Sequence, residues 1–207
     1  MTVVTDQNPG PPALLPITLA GHHVTLRPPR QGDAEPLYAD SHAQPELVWT
    51  YMSYGPWPDR DALADWVGER VSSVDPLWFT VVDNHRQTPV GMATMLNYDP
   101  VHRRLELGHI WYVVSAQGTF ANTEAAYLLL RHAFWDYRAR RVEWKCDSRN
   151  ERSRAAALRL GFRFEGIFSQ HMIVKGLNRD TAWFAMTDSE WPEAAARMED
   201  RLYQNDR

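Results

Sequence analysis

The stretch "SAQGTFANTEAAYLLLRHAFW", residues 115–135, decides how the chain is organised. It follows a strand-like run, begins as a short polar loop and continues as an apolar helix. The first turn of a helix carries backbone N–H groups without partners, and the helix dipole favours negative charge there. A strand, a polar loop and an apolar helix in this order therefore predict a site for an anion such as a phosphate.

Composition predicts one globular, soluble domain in the cytoplasm. The 207 residues are 44% hydrophobic and 23% charged, with nine Trp and a single Cys146, which leaves no internal disulfide. No apolar run approaches the roughly 18 residues of a membrane helix. Residues 1–20 are predicted to form an irregular Pro- and Gly-rich arm rather than a secretion signal. A net charge of −4 gives no general attraction to nucleic acid, so an acidic ligand would need a local basic patch.

Strand and helix signals predict an α+β fold around a mixed, mostly antiparallel twisted sheet of six to seven strands. Strand-like runs fall at 22–29, 77–83, 88–98, 103–114, 140–147, 162–174 and 181–187, and the turn-like residues 84–87 predict a hairpin. Helical patterns fall at 33–43, with Asp33 as N-cap, and at 59–73, 150–160 and 189–204. The aromatic residues 46–58 are predicted to be a loop. We expect a domain over 21–191, with 192–207 as a helix packed on or extending it.

Four stretches carry a family resemblance: "ELGHIWYV" (106–113), "TEAAYLLLRHAF" (123–134), "NERSRAAALRLGFRFEG" (150–166) and "KGLNRDTAWFAMTDSEW" (175–191). In this order they resemble the GNAT superfamily of acyl-coenzyme A-dependent N-acyltransferases, and most closely the branch of the ribosomal-protein N-terminal (alanine/serine) acetyltransferases. That branch has Asn-x-x-Ser, an apolar helix, Gly-Phe and Glu-Gly, as do Asn150, Ser153, Gly161-Phe162 and Glu165-Gly166 here. The resemblance implies acetyl-CoA as the acyl donor, acting as co-substrate.

The resemblance also implies which residues bind the donor. The family's pyrophosphate loop, Gln/Arg-x-x-Gly-x-Gly/Ala, places Gln117 on the first position, Phe120 on the glycine and Asn122 on the last small residue. Phe120 supplies an N–H as a glycine does if its φ is negative and its ring points away. The alternative is an ordinary connection that Asn122 merely caps. The expected cofactor-binding set is Trp111, Tyr112, Val113, Gln117, Gly118, Thr119, Phe120, Ala121, Asn122, Thr123, Asn150 and Arg154. Of two arginine clusters, 149–154 is favoured over 138–141 for the 3′-phosphate.

Catalysis on a thioester requires a base for the amine and an acid for the leaving thiolate. Glu106 lies eleven residues before Gln117, where many family members keep a catalytic glutamate, and burial there would favour its protonated form. The alternative for Glu106 is an ion pair with Arg103 or Arg104. His109 is the second candidate base, or else a packed core residue. Ser153 is the candidate acid, or else a first-turn serine making a local hydrogen bond.

The acceptor is predicted to be a small amine or a peptide N-terminus. The aromatic residues Trp49, Tyr51, Tyr54 and Trp57 would line its site, together with Gln170 and His171, although such aromatics could equally cover the core. No metal site, nucleic-acid partner or membrane partner is expected, and a homodimer is left open. The alternative function is a catalytically silent module that has kept the fold and lost donor binding.

Overall fold

A computed structural model describes residues 13–203, which form one eight-stranded sheet flanked by six α-helices, with two short 3₁₀ helices and one π-helix. The helices are α1 (Ala34–Ala43), α2 (Pro45–Trp49), α3 (Arg60–Gly68), α4 (Ala121–Arg131), α5 (Glu151–Leu160) and α6 (Trp191–Tyr203). The strands are β1 (Leu19–Ala20), β2 (Val24–Arg27), β3 (Leu77–Asp83), β4 (Thr88–Asp99), β5 (Arg104–Tyr112), β6 (Arg141–Asp147), β7 (Arg163–Val174) and β8 (Leu177–Thr187). No helix in this part of the chain is long and apolar enough to cross a membrane.

The sheet has the order β1-β2-β3-β4-β5-β6-β8-β7, and only the β5–β6 pair is parallel. The predicted α+β fold and mixed, mostly antiparallel sheet are therefore confirmed, including the hairpin between β3 and β4. The strand count was too low by one. The added strand, β1, is two residues long, too short to show an alternating pattern, and it forms only by pairing with β2.

Strands β5 and β6 separate halfway along their length. They pair from Arg104 opposite Arg141 to Leu107 opposite Trp144, and have no registered pairs beyond. The separation coincides with a bulge in β5, where His109 has φ +48° and two residues oppose one of β4. A bulge bends its strand, so β5 turns away from β6 and opens a cleft in the sheet. Simple alternation along β5 would put Ile110 on the same face of the sheet as Glu106. With the bulge, the register with β4 puts Trp111 on that face instead.

Buried Glu124 fixes α4 against this sheet. Its carboxylate accepts hydrogen bonds from the backbone N–H groups of His22, His23 and Val24 at 2.7–2.9 Å. The Tyr203 hydroxyl of α6 donates to the same carboxylate at 2.8 Å. A carboxylate with this many donors is well compensated for burial, so it ties the N-terminal strands, α4 and α6 together. The N-terminus of α4 is thereby held at the mouth of the cleft.

Three local predictions were wrong. Residues 45–49 are helical rather than a loop, with Pro45 in the first turn, where a missing N–H costs nothing. The Asp33 carboxylate does not cap α1, because it accepts from the Arg27 guanidinium and the Thr80 hydroxyl instead. Helix α3 ends at Gly68 rather than at residue 73. Of the arm predicted over 1–20, residues 1–12 lie outside the described part, and so does the end of the predicted C-terminal helix after Tyr203.

Candidate active site

Two cavities meet where β5 and β6 separate. The larger, about 630 Å³, lies between α2, α5 and the loop that follows β5. The smaller, about 340 Å³, lies between β5, β6 and β8. Both are lined by Tyr51, Met52, Ile110, Trp144, Asn150 and Ser153. A molecule in one cavity can therefore reach a molecule in the other at this shared lining, called here the junction.

The loop before α4 carries free backbone donors beside the larger cavity, which Gly118 lines. Within residues 13–203, the N–H groups of Gly118, Thr119 and Phe120 have no hydrogen-bond partner. Phe120 has φ −70°, and its ring stacks on His23 with centroids 4.9 Å apart, away from the larger cavity. Replacing glycine by Phe120 thus leaves the donors in place. Asn122 is not the cap, because the helix begins at Ala121, and its side chain lines the cavity instead.

The arginines that line this cavity agree with the prediction only in part: Arg152 of the favoured cluster lines it, but Arg154 does not. Arg152 lines it, donating to the Gln117 side-chain oxygen at 2.7 Å and to the Leu47 carbonyl at 2.5 Å. Arg159 lies two turns further along the same face of α5 and also lines the cavity. Arg154 was predicted to bind the cofactor but does not line the cavity: it donates to the Ser148 carbonyl and lies over the Phe164 ring. At about 100° per residue, Arg154 projects some 200° from Arg152 on α5.

The remaining predicted donor residues divide into three groups. Lining the larger cavity are Trp111, Tyr112, Gln117, Gly118, Asn122 and Asn150. On the far side of the loop, facing a separate cavity beside His22 and Asn84, are Thr119, Phe120 and Ala121. Thr123 lines a small recess with Arg159 and Arg201, and Val113 is buried and lines neither main cavity. The structure thus brings the first group together and separates the side chains of the others.

Ser153 lies at the junction with its hydroxyl oriented by a neighbour. The Trp144 indole N–H donates to Ser153 Oγ at 3.0 Å, and the Ser153 backbone N–H donates to the Asn150 side chain, which caps α5. Because Trp144 occupies a lone pair of the Ser153 oxygen, the hydroxyl hydrogen remains available to another acceptor. The same serine therefore makes the local hydrogen bonds of the alternative interpretation, and the Cys146 thiol, a weak acceptor, competes for its hydroxyl hydrogen.

Glu106 lines the smaller cavity within an ion pair that was not predicted. Its Oε2 accepts from Asn97 Nδ2 and from Lys145 Nζ, each at 2.9 Å. Lys145 also pairs with Glu143 at 3.0 Å, so the partner of Glu106 is neither Arg103 nor Arg104. Glu106 Oε1 has no hydrogen-bond donor within residues 13–203 and lies 3.3 Å from where a Cβ on Gly108 would be. Oε1 is therefore the atom of this carboxylate that can accept a proton.

His109 also lines the smaller cavity, between the rings of Trp78 and Tyr54. Burial, together with the positive charges of Arg70 and Arg179, lowers its pKa to about 4. The imidazole is therefore neutral at pH 7, but its protonated form is disfavoured by the same surroundings. This makes His109 a weaker candidate base than its ordinary pKa suggests.

Of the residues predicted to line the acceptor site, Tyr51 and His171 do so, and His171 Nδ1 lies 2.9 Å from the Thr181 hydroxyl. The other predicted aromatics pack with Trp66 and Trp78 in one cluster and line neither main cavity: Trp49, Tyr54 and Trp57. Trp49 is 1% exposed and donates to the Ser41 carbonyl. Gln170 does not line the cavity either. Its side chain is exposed on β7, and only its backbone N–H is bonded, to Asp180.

Among the residues of the smaller cavity that were not predicted from the sequence are Asn97, Lys145 and Arg179. Lys145 alternates with Arg141 and Glu143 on β6, a charged face in a strand whose other face is apolar. That alternation is a usable signal for a polar site. Nothing local marks Asn97 or Arg179.

Comparison with known proteins agrees with this geometry. The model of the acetyltransferase (GNAT) domain matches residues 23–163, which include β5, the loop, α4 and α5. The chain belongs to the GNAT acetyltransferase family. The family predicted from the sequence is thereby confirmed.

Three relatives place the chain within the GNAT family. A GCN5-related N-acetyltransferase from Brucella melitensis is 37% identical, with a TM-score of 0.88 over 93% of this chain and 89% of that one. The Mycobacterium smegmatis protein RimJ, in complex with CoA-disulfide, is 25% identical, with a TM-score of 0.77 over 90% and 95%. YdaF of Bacillus subtilis (strain 168), named as a candidate ribosomal N-acetyltransferase, is 32% identical over 49% of this chain. The match spans 55% of the length of that curated relative. These names support the predicted branch.

Proposed function

We propose that the protein is an acetyl-CoA-dependent N-acetyltransferase that acetylates the primary amine of a small amino compound or of a peptide N-terminus. The observation that carries the proposal is the junction between two cavities, with Ser153 on its wall. Direct transfer between two substrates requires such an arrangement, because donor and acceptor must meet without an intermediate carrier.

The larger cavity has the features that an acyl-CoA requires. The N–H groups of Gly118, Thr119 and Phe120 stand at the start of α4, where the dipole adds to their attraction for a pyrophosphate. Arg152 and Arg159 supply the cations that the acidic chain otherwise lacks there. The unpaired edges of β5 and β6 beyond Leu107 and Trp144 offer backbone groups to an amide-containing arm. RimJ was solved with a CoA disulfide, which supports this assignment.

The chemistry is divided between the two cavities. The thioester, when bound, supplies an acyl group that is already activated. Glu106 accepts a proton from the acceptor ammonium through Oε1, while Asn97 and Lys145 hold the carboxylate through Oε2. On the other side of the junction, the Ser153 hydroxyl, its oxygen fixed by Trp144, donates to the departing thiolate and regains a hydrogen from the amine nitrogen as the amide forms, so that coenzyme A leaves as the thiol.

The proposal also covers the class of acceptor, the location of the protein and the extent of the catalytic domain. The printed name of YdaF supports a peptide N-terminus as acceptor, and the 340 Å³ volume of the smaller cavity supports a small amine. The buried free thiol of Cys146, whose pKa is raised by burial, favours a cytoplasmic location. We also assign α6 to the catalytic domain, because Trp191 stacks on Phe134 and Tyr203 binds Glu124.

A thiol-release assay tests the proposal. Purified protein, acetyl-CoA and a panel of amino acids, aliphatic amines and short peptides are combined, and mass spectrometry confirms the acetylated product. We expect amine-dependent thiol release with at least one class of acceptor. Donor binding without transfer to any amine would instead favour the catalytically silent module.

A further inference from the structure

Arg179 on β8 is a cation of the acceptor cavity that forms no ion pair within residues 13–203. Its side chain lines the 340 Å³ cavity, and its Nε is buried with no hydrogen-bond partner within residues 13–203. No carboxylate of these residues pairs with it within 4 Å, whereas Lys145 has two such partners. A buried donor without a partner costs about 1–3 kcal/mol, so this Nε–H is a donor that a ligand entering the cavity can satisfy.

The other charges that line this cavity are matched. Glu106 pairs with Lys145, and Asp147 pairs with Arg149 at 2.7 Å. Arg179 is therefore the lining cation that has no ion-pair partner within residues 13–203, although its charge helps to lower the pKa of Asp147 from a longer distance. Its influence reaches the reaction site, because its charge acts with burial and Arg70 to lower the pKa of His109. The acceptor cavity thus combines a proton acceptor, Glu106 Oε1, with an unpaired guanidinium.

We propose that Arg179 binds a carboxylate of the acceptor, so that the substrate is a primary amine carrying a carboxylate within about one residue's length. This deepens the proposed function and rests on it. A guanidinium presents two parallel N–H donors that match the two oxygens of a carboxylate. The source of the carboxylate is either a free amino acid or an acidic residue next to the N-terminus of a peptide.

A carboxylate fits the cavity's charge better than a phosphate does. A phosphate monoester carries close to two negative charges at pH 7, and a second free cation would be needed to balance it. Lys145 is occupied by Glu106 and Glu143, and Arg149 by Asp147. One unpaired guanidinium balances one carboxylate. The ammonium of the same substrate is then directed to Glu106.

Matched acceptor pairs test the proposal on the full chain with acetyl-CoA. The free amino acid pairs are alanine against alaninamide and glutamate against glutamine. The peptide pair is Ala-Asp-Ala-amide against Ala-Asn-Ala-amide, so the two arms separate the sources of the carboxylate. In at least one arm we expect the acidic member, or the one with a free carboxylate, to have a tenfold or higher kcat/KM, mostly through KM.

Substitutions of Arg179 test whether this residue causes the preference for acceptors that carry a carboxylate. Arg179→Gln should remove it, raising KM for the acidic acceptor at least tenfold while the Kd for acetyl-CoA stays unchanged. Arg179→Lys, which keeps the charge but not the paired donors, should retain part of the preference and serves if the Gln variant folds poorly. Arg163→Gln is the matched control, since Arg163 is exposed on β7 and pairs with Glu190 outside both main cavities. It should behave as the wild type.

The outcomes separate the two proposals. Equal kcat/KM for acidic and neutral members in both arms would overturn the role of Arg179 alone, as would a preference that survives Arg179→Gln. No transfer to any amine would overturn the proposed function and this inference together.

Discussion

Replacing Glu106 by Gln tests the assignment of the base. The substitution keeps the shape of the side chain and leaves an amide oxygen that can still accept from Asn97 or Lys145. It removes the one group in the acceptor cavity that can take a proton through an unoccupied oxygen. The change is therefore chemical rather than structural.

The expected loss follows from what a general base contributes. A positioned base is worth about 10²–10⁴ in rate, so turnover should fall by that factor, about 3–5 kcal/mol. Because Lys145 keeps Glu143 as a partner at 3.0 Å, no buried cation is left uncompensated and folding should survive. Glu106 lines only the smaller cavity and not the larger one, so the Kd for acetyl-CoA should stay within a factor of about two.

The assay measures kcat and kcat/KM between pH 6 and 9 by thiol release, with donor affinity from calorimetry. Turnover of the variant should lie below that of the wild type at every pH in this range. The matched control is Glu143→Gln, which disturbs the same lysine from a buried residue that lines neither main cavity. It should lower the melting temperature and leave turnover near the wild-type value.

Two results would refute the reasoning about Glu106. Full activity of Glu106→Gln across this pH range would move the base role to His109 or to a water. Equal losses of activity in Glu106→Gln and Glu143→Gln would show that only the charge network around Lys145 matters.

Three further predictions concern neighbouring groups. Ser153→Ala should lower kcat by about tenfold or less, with donor affinity unchanged, because a thiolate leaves tolerably without an acid; an unaltered kcat would exclude Ser153 as the donor. Asn122→Pro removes an N–H in the first turn of α4, where proline is tolerated, and should weaken acetyl-CoA binding at least tenfold, while Asn122→Ala should not. Burial lowers the pKa of His109 in the folded protein from the ordinary 6.5 to about 4. As the pH falls, the unfolded chain therefore binds this proton before the folded protein does, and stability is lost between pH 6.5 and pH 4. Denaturant titrations should show that the unfolding free energy lost on acidification is smaller in His109→Asn, by up to about 3 kcal/mol. Identical losses in the variant and the wild type would contradict this role of His109.

The parts of the fold that could be predicted are those with a local cause. Gly161 ends α5 in a left-handed conformation, φ +97°, as its position after the apolar helix indicated. Strand β3 follows its apolar run residue for residue. The free backbone donors before α4 were predictable because helix N-termini carry them whatever the side chains are. The identity of Phe120 mattered less than its φ.

The parts that could not be predicted depend on neighbours distant in sequence. The ion pair of Glu106 requires β6 to lie parallel beside β5, which brings Lys145 from 39 positions away. The bulge at His109 exists only relative to the register of β4. Trp49 carries the same local signal as Tyr51, yet Trp49 packs into the aromatic cluster and Tyr51 lines the junction. Composition alone cannot separate these two neighbours, because burial is decided by the surrounding helices.

Titration calorimetry with acetyl-CoA tests the central claim most directly, namely that the cleft opened between β5 and β6 binds an acyl-CoA. Purified wild-type protein at low micromolar concentration is titrated with acetyl-CoA, with Asn122→Pro as the comparison. We predict one site per chain with a Kd below about 100 μM, about −5.5 kcal/mol or more favourable, and weaker binding in the variant. No binding at millimolar acetyl-CoA would contradict the account of the donor site and of the reaction built on it.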